Sequence, residues 1–201
     1  GATDAGSLVV SLDTATAGNL TGFATLQFTS NGAGTSGLGL TAIGSQNVGV
    51  STNVAVWRLA EGSLDNGQPV DFGAHRVGDS PATVGVVVRN GAANDGFSEA
   101  LNASVGSVDA GFGATGSANL IAAGASDGSA IQVGLDTSTA GVKSGNARIN
   151  YVSDGAGTSG LGQSAAGSQD LAMSGRVYGQ AVAALDTTSV VAWVSSRSAC
   201  K

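Results

Sequence analysis

Two nearly identical glycine-rich segments are the first candidates for chemistry. NGAGTSGLG at 31–39 returns as DGAGTSGLG at 154–162, and each contains a G-x-G-x-x-G pattern. In a nucleotide-binding loop, this pattern joins a strand to a helix whose N-terminal amides bind phosphate. Here the residues that follow contain more glycines, no helical apolar stripe and no basic residue. The pattern therefore favours a glycine-rich connection between two strands over a phosphate site.

A second candidate, GASDG at 124–128, matches the G-x-S-x-G pattern of serine hydrolases. That chemistry needs a strand–turn–helix around the serine and a histidine later in the chain. The sequence continues instead into AIQVG, which has strand character, and its only histidine, His75, lies upstream. A polar turn residue is the simpler role for His75. We therefore predict that the chain is not an enzyme and has no catalytic residue.

Acidic residues at equivalent turns raise the alternative of a structural calcium ion, which takes six to eight oxygen ligands. Asp13 and Asp136 both occur in LDT, but the first glycine loop has Asn31 where the second has Asp154. An Asp at a strand end is typical of an Asx turn. We therefore expect no cofactor, and calcium stays an alternative without a defined ligand set. The one cysteine, Cys200, excludes an internal disulfide and a Cys-based zinc site.

The composition narrows the classes of partner. The 201 residues include 33 glycines, only 11% are charged, and the net charge is −6. A basic surface for nucleic acid is not expected from such a chain. No run of 18 apolar residues occurs, so we predict no transmembrane segment. Acidic, Lys-poor, Gly- and Thr-rich composition is typical of secreted bacterial β proteins, and we expect an extracellular location at the bacterial cell surface.

The glycine loops belong to a longer internal repeat. Residues 8–51 align without a gap on residues 131–174, and 23 of the 44 aligned residues are identical. Near the C-terminus, AVAALD at 181–186 resembles AEGSLD at 60–65, which aligns Trp193 with Phe72. A repeat of this length indicates a duplicated structural unit.

The alignment predicts three parts. Residues 1–60 are a half-unit, residues 61–181 are a complete unit, and residues 182–201 are a terminal strand that is either donated to a neighbour or completes residues 1–60. The half-unit at 1–60 is termed the B half, and the part of the complete unit before its own B half is termed the A half.

Alternating apolar residues predict that these parts are built from strands. The inward-facing sets in the two copies would be Ala24, Leu26 and Phe28, and then Ala147, Ile149 and Tyr151. Val84, Val86 and Val88 alternate in the same way. Short strands separated by Gly, Asn and Asp predict an all-β fold, an immunoglobulin-like (Ig-like) β-sandwich that is repeated along the chain.

One stretch carries a resemblance to a known family. VDFGAHRVGDSPATVGVVVRNGA at 70–92 resembles the opening of the immunoglobulin-like domains of the ASPM–SPD-2–Hydin type. The continuation, through DGFSEALNASV, LDTSTAGVKSG and SDGAGTSGLG, is similar to bacterial choice-of-anchor D repeats. The resemblance covers most of residues 61–181 and the B half again at 1–60. It implies an Ig-like sandwich, an extracellular location and a repeated scaffold, and no catalytic or ligand-binding residue.

An incomplete unit exposes strand edges and an apolar face, and such edges recruit other strands. SVVAWVSS at 189–196 alternates like a strand that a neighbour could accept. The predicted assembly residues are Val190, Val191, Trp193, Val194 and Trp57. Head-to-tail donation would give an open filament. We therefore expect a structural or adhesive surface module that associates with itself or with neighbouring repeats.

Two alternatives stay open at this stage. Residues 1–60 and the tail could pair within one chain and give a monomer with two packed sandwiches. The chain could also be a calcium- or glycan-binding module, in which Trp57 and Trp193 stack on sugars of a surface glycan.

Overall fold

The computed structural model describes residues 2–52 and 55–185. Every helix or strand assigned in these residues is a β-strand, so the all-β prediction is confirmed. Alternating β-branched and apolar residues favour such pleated elements, and glycines separate them. The strands are β1 Thr21–Asn31, β2 Leu40–Ser51, β3 Gly62–Leu64, β4 Val70–Arg76, β5 Thr83–Gly85, β6 Val88–Asn90, β7 Ala100–Val108, β8 Phe112–Ile121, β9 Ser126–Asp127, β10 Ile131–Leu135, β11 Gly141–Asp154 and β12 Gln163–Tyr178.

Seven strands form the main sheet, in the order β4-β12-β11-β7-β8-β10-β5. Its neighbours are antiparallel except for β4 and β12, which run parallel with Val70 opposite Met173. The sheet curls so that β4, at one end, approaches β8 across the core, and the ring centroids of Phe72 on β4 and Phe112 on β8 lie 6.0 Å apart. The sheet is therefore mixed and nearly closed around one core.

Three short strands form a second sheet, in the order β3-β6-β9. The chain passes from the main sheet to this one between β5 and β6, at Val86, whose N–H donates to the Ile131 carbonyl at 2.9 Å. The prediction that Val84, Val86 and Val88 belong to one strand is therefore wrong. All three side chains still pack in or against the core, because the chain bends between two sheets that share it.

The core lies inside the curled main sheet, and the small sheet packs against it. The side chains that are almost completely buried come from both: Val86, Val88, Leu101, Ile131, Val133, Leu135, Ile149, Leu171 and Met173. On β11 the burial alternates as the sequence predicts, with Ala147, Ile149 and Tyr151 inside and Arg148 exposed. Close-packed interiors of this kind tolerate little added volume.

The close fit of the small sheet on the core generates a prediction at Gly62. A Cβ at Gly62 would overlap the ring of Tyr151, so we expect Gly62→Ala to lower the free energy of unfolding by about 1–3 kcal/mol. Gly113→Ala on β8 is the matched control, because no heavy atom lies within 4 Å of its Cβ position. Chemical denaturation measures both. Equal stability of the two variants would contradict this packing.

Candidate functional site

Two hairpins of the chain, β1–β2 and β11–β12, have the same backbone design. Ala24 lies opposite Val48 in the first, and Ala147 lies opposite Leu171 in the second, at positions 123 residues apart. In each hairpin the register shifts at a bulge, and a glycine with a positive φ lies beside it. This glycine is Gly44 in the first hairpin, with φ of 116°, and Gly167 in the second, with φ of 93°. A bulge of this kind bends a strand and sets its twist.

The repeated glycine loops are the turns of these two hairpins. The Gly37 N–H donates to the Gly32 carbonyl at 2.9 Å, and the Gly160 N–H donates to the Gly155 carbonyl at 2.8 Å. Gly37 and Gly160 both have φ of 71°, which a residue with a Cβ adopts only with strain. A strand follows each loop, so neither loop has the helix that a phosphate-binding loop requires.

The β11–β12 hairpin, termed the covered hairpin, has a neighbour on each edge. Strand β7 pairs antiparallel with β11 along Ala147 to Asp154, and β4 pairs parallel with β12. Its inward side chains are buried: Tyr151 is 3% exposed and Leu171 is 0% exposed. The rest of the fold therefore pairs the edges of this hairpin along Ala147–Asp154 of β11 and Met173–Tyr178 of β12, and it buries the inward side chains there.

The β1–β2 hairpin, termed the open hairpin, lacks these neighbours in the described part of the chain, where β1 and β2 pair only with each other. Phe28 is 40% exposed where its counterpart Tyr151 is 3% exposed, and Val48 is 39% exposed where Leu171 is 0% exposed. Further large apolar side chains on this hairpin are exposed: Phe23, Leu40 and Ile43. The positions of Phe28 and Val48 are thus exposed in the open hairpin and buried in the covered hairpin.

A buried carboxylate joins the covered hairpin to β7. Glu99, which precedes β7, is 2% exposed. The Ser153 hydroxyl donates to Glu99 Oε2 at 2.7 Å, and the Ser159 hydroxyl donates to Oε1. Ser153 Oγ also accepts from the Ala60 N–H at 2.8 Å. A buried carboxylate is costly unless such donors satisfy it, so the two serines fix where β7 docks.

Sequence reasoning missed Glu99, since a single glutamate in a polar stretch resembles a surface residue. The signal was the period of two, which puts Glu99, Leu101 and Ala103 on one face of an extended segment. The open hairpin carries both hydroxyls of this anchor, because Ser30 and Ser36 occupy the positions of Ser153 and Ser159.

A second polar group beside the anchor differs between the copies. Asp154 accepts from Asn102 Nδ2 and Gln163 Nε2, both at 2.7 Å. The Ala156 N–H, together with these amides, lowers the pKa of Asp154. The open hairpin has Asn31 and Leu40 at the corresponding positions, without a charge or a second amide. The two hairpins therefore suit different partners at this point.

Of the predicted assembly residues, only Trp57 lies in the described chain. Its ring centroid lies 5.9 Å from that of Phe97, and it lines a groove of about 460 Å³ that also contains Leu120 and Thr158. Leu120 has φ of 55° and is 55% exposed. Val190, Val191, Trp193 and Val194 lie outside the described residues. Glycan binding stays a prediction, with this groove as its place in the fold.

Two of the other sequence candidates, Asp13 and Asp136, lie in turns, whereas His75 lies in strand β4, so its prediction as a turn residue is wrong. Asp13 and Asp136 each accept from a backbone N–H two residues further on, both at 2.9 Å, as an Asx turn requires. His75 Nε2 donates to the Phe72 carbonyl at 2.9 Å within its own strand. Within residues 2–52 and 55–185, no three His, Cys, Asp or Glu side chains form a group that could hold a metal ion.

No protein-family model and no curated protein matches the chain. In the part of the chain that the structure describes, no helix is long and apolar enough to cross a membrane. The function must therefore be inferred from the chain's own geometry.

The serine anchor generates a prediction with a matched control inside the same molecule. Ser153→Ala removes a donor from buried Glu99 and a partner from Ala60 N–H, so we expect a loss of about 1–3 kcal/mol in the free energy of unfolding. Ser30→Ala changes the equivalent residue of the open hairpin, which is exposed, and should cost much less. Urea unfolding compares the two. Equal losses of unfolding free energy would contradict the description of Ser153 as buried and Ser30 as exposed.

Tyr151 generates a prediction for alkaline pH. Burial raises the pKa of Tyr151 to about 12. The unfolded chain therefore loses this phenol proton first, and stability falls as pH rises above about 10. Tyr151→Phe, which places the residue type of Phe28 at this position, should flatten the fall in Tm between pH 10 and 12. Tyr178→Phe, at an exposed position, is the control. An unchanged slope in Tyr151→Phe would contradict the burial of this phenol.

Proposed function

We propose that the chain is a structural module of an extracellular surface protein, whose repeated β half-units complete one another head to tail. The open hairpin carries this proposal, because it exposes Phe28 and Val48, whose counterparts Tyr151 and Leu171 in the covered hairpin are buried. A two-stranded hairpin is marginally stable by itself in water. Unpaired edges beside an apolar face favour the addition of strands from another segment.

The proposal includes a finer description of the fold. Residues 61–181 would be a complete Ig-like unit of the choice-of-anchor D kind, and residues 1–60 would be its B half alone. Two observations support this division: the resemblance at 70–92, and the shared register and turns of the open and covered hairpins. The acidic, glycine-rich composition supports an extracellular location. We propose no catalytic role, because the sequence motifs that suggested one lie in turns and short strands.

The pairing of β4 with β12 indicates how one molecule would complete the next. At a shift of 121 residues, Val191 and Trp193 of the tail align with Val70 and Phe72 of β4. In the complete unit, Val70 lies opposite Met173, and the counterpart of Met173 in the open hairpin is Val50. We therefore propose that the tail of one molecule pairs in parallel with β2 of another, with Val191 opposite Val50. Such contacts are heterologous and extend into a filament.

Sedimentation velocity over a range of concentrations tests this proposal. The full chain should associate increasingly with concentration, and the chain that lacks residues 187–201 should not. Trp193→Lys should weaken association by at least about tenfold, because it places a charge on the inward face of the donated strand. Ala192→Lys is the matched control, since its counterpart Asp71 in β4 is exposed.

Electron microscopy of the same samples separates filaments from closed dimers. If the full chain and the shortened chain are equally monomeric, head-to-tail completion through the tail is wrong.

A further inference from the structure

We infer that the β1 edge of the open hairpin binds a strand that places a buried glutamate between Ser30 and Ser36. This inference rests on the proposed function, and it names the chemistry of the segment that completes the half-unit. The partner is an A half of the same kind as residues 61–129, supplied by a segment outside the 201 residues.

The numbers of B-type hairpins and of β7-type strands indicate why the partner strand comes from outside the chain. Residues 2–52 and 55–185 contain two hairpins of the B kind but one strand of the β7 kind, and the covered hairpin already pairs with β7. A second copy of the chain brings the same ratio, so it can exchange β7 but cannot supply an additional one. The tail corresponds by sequence to β3, which belongs to the small sheet, and to β4, which pairs at the opposite edge of the hairpin. The β1 edge therefore needs a further strand of the β7 kind.

The covered hairpin gives the register of this missing strand. On β11, Ala147 lies opposite Val108 and Asp154 lies opposite Ala100, with one bulge between them. The corresponding edge of β1 runs from Ala24 to Asn31. An added antiparallel strand would satisfy the free backbone groups of this edge, and its alternate apolar side chains would cover Leu26 and Phe28.

One of the two hydroxyls that receive the glutamate, that of Ser36, is already placed by the turn. Gly32 leaves the space in which the Ser36 hydroxyl sits, as Gly155 does for Ser159, because a Cβ at either glycine would meet that oxygen. Ser36 Oγ accepts from the Leu38 N–H at 3.4 Å, as Ser159 Oγ accepts from the Leu161 N–H at 3.1 Å. Because Oγ accepts in both turns, the hydroxyl hydrogen of each serine is available to donate to another group. The covered hairpin donates it to Glu99, and the open hairpin has no carboxylate there among the described residues.

The differences between the hairpins argue against exchange of β7 between two copies. Asn102 on β7 donates to the carboxylate of Asp154, and the open hairpin offers the neutral amide of Asn31 instead. Gln163, the second donor to Asp154, is replaced by Leu40. The native β7 therefore suits the covered hairpin better at this position. Both hairpins have the serine pair that binds a glutamate. At the next position, Asn31 replaces Asp154, so the open hairpin favours a partner strand that has no amide donor for a carboxylate there.

A synthetic peptide tests the inference with the full chain as receptor. The probe is FSEALVASVGSV, the sequence of residues 97–108 with Asn102→Val, which keeps Glu99 and removes the amide that suits the covered hairpin. With a fluorophore at its N-terminus, fluorescence anisotropy reports its binding. We expect saturable binding, which weakens about tenfold or more when the glutamate of the peptide is replaced by leucine, because hydrogen bonds to a charged group are lost.

Receptor variants place the binding on the open hairpin. Ser30→Ala combined with Ser36→Ala should weaken binding of the original peptide by a similar factor, and both residues are exposed, so the fold should tolerate the change. Ser45→Ala, at another exposed serine of the same hairpin, is the control. Hydrogen exchange should show new protection along residues 24–31. No binding at millimolar peptide, or equal binding with and without the glutamate or the two serines, would overturn the inference.

These outcomes are distinct from failure of the proposed function. If the peptide binds as expected while copies of the chain do not associate, head-to-tail completion through the tail fails and the glutamate anchor stands. If copies associate and the peptide does not bind, the anchor fails alone.

Discussion

The constraint on which this structure depends is that a two-stranded hairpin cannot satisfy itself. It leaves two outer edges with unpaired N–H and C=O groups, and one apolar face. In the β11–β12 hairpin, β7 and β4 supply the edges, and the curled main sheet covers the face. The β1–β2 hairpin has the same register, bulge and turn but none of these neighbours among the described residues. One chain thus contains the same element in a completed and an uncompleted state.

The polar anchor at Glu99 gives the completed state its specificity. An apolar face alone would accept β7 in more than one register, since sliding by two residues keeps the same side chains inward. A carboxylate with two hydroxyl donors accepts one position, and a shifted strand would leave the charge without partners. The unfavourable free energy of a buried glutamate without donors thus selects one register of β7, which the hydrophobic side chains alone do not select. The serines at 30 and 36 carry this part of the design into the open hairpin.

The sequence predicted the parts of the fold that local patterns control. The alternation in β11 located its inward side chains, because a half-buried antiparallel strand imposes a period of two. The repeated glycine loops were assigned as strand connections, since their turns need a residue at φ of 71°. The parallel pairing of β4 with β12 was beyond reach, because it joins segments that are far apart in sequence and has no local pattern. The bend at Val86 was missed for a related reason: alternation reports burial, and both sheets bury the same side of the chain.

Hydrogen exchange of the full chain, followed by mass spectrometry, tests the central claim most directly. Strand β11 is bonded on both edges along residues 147–154, so nearly all amides of this stretch should exchange only through global unfolding. Strand β1 is bonded on one edge, so about half of the amides of residues 21–31 should exchange quickly in dilute solution. Equal, complete protection of both strands in the monomeric chain would contradict the account, because it would mean that the open hairpin is already covered.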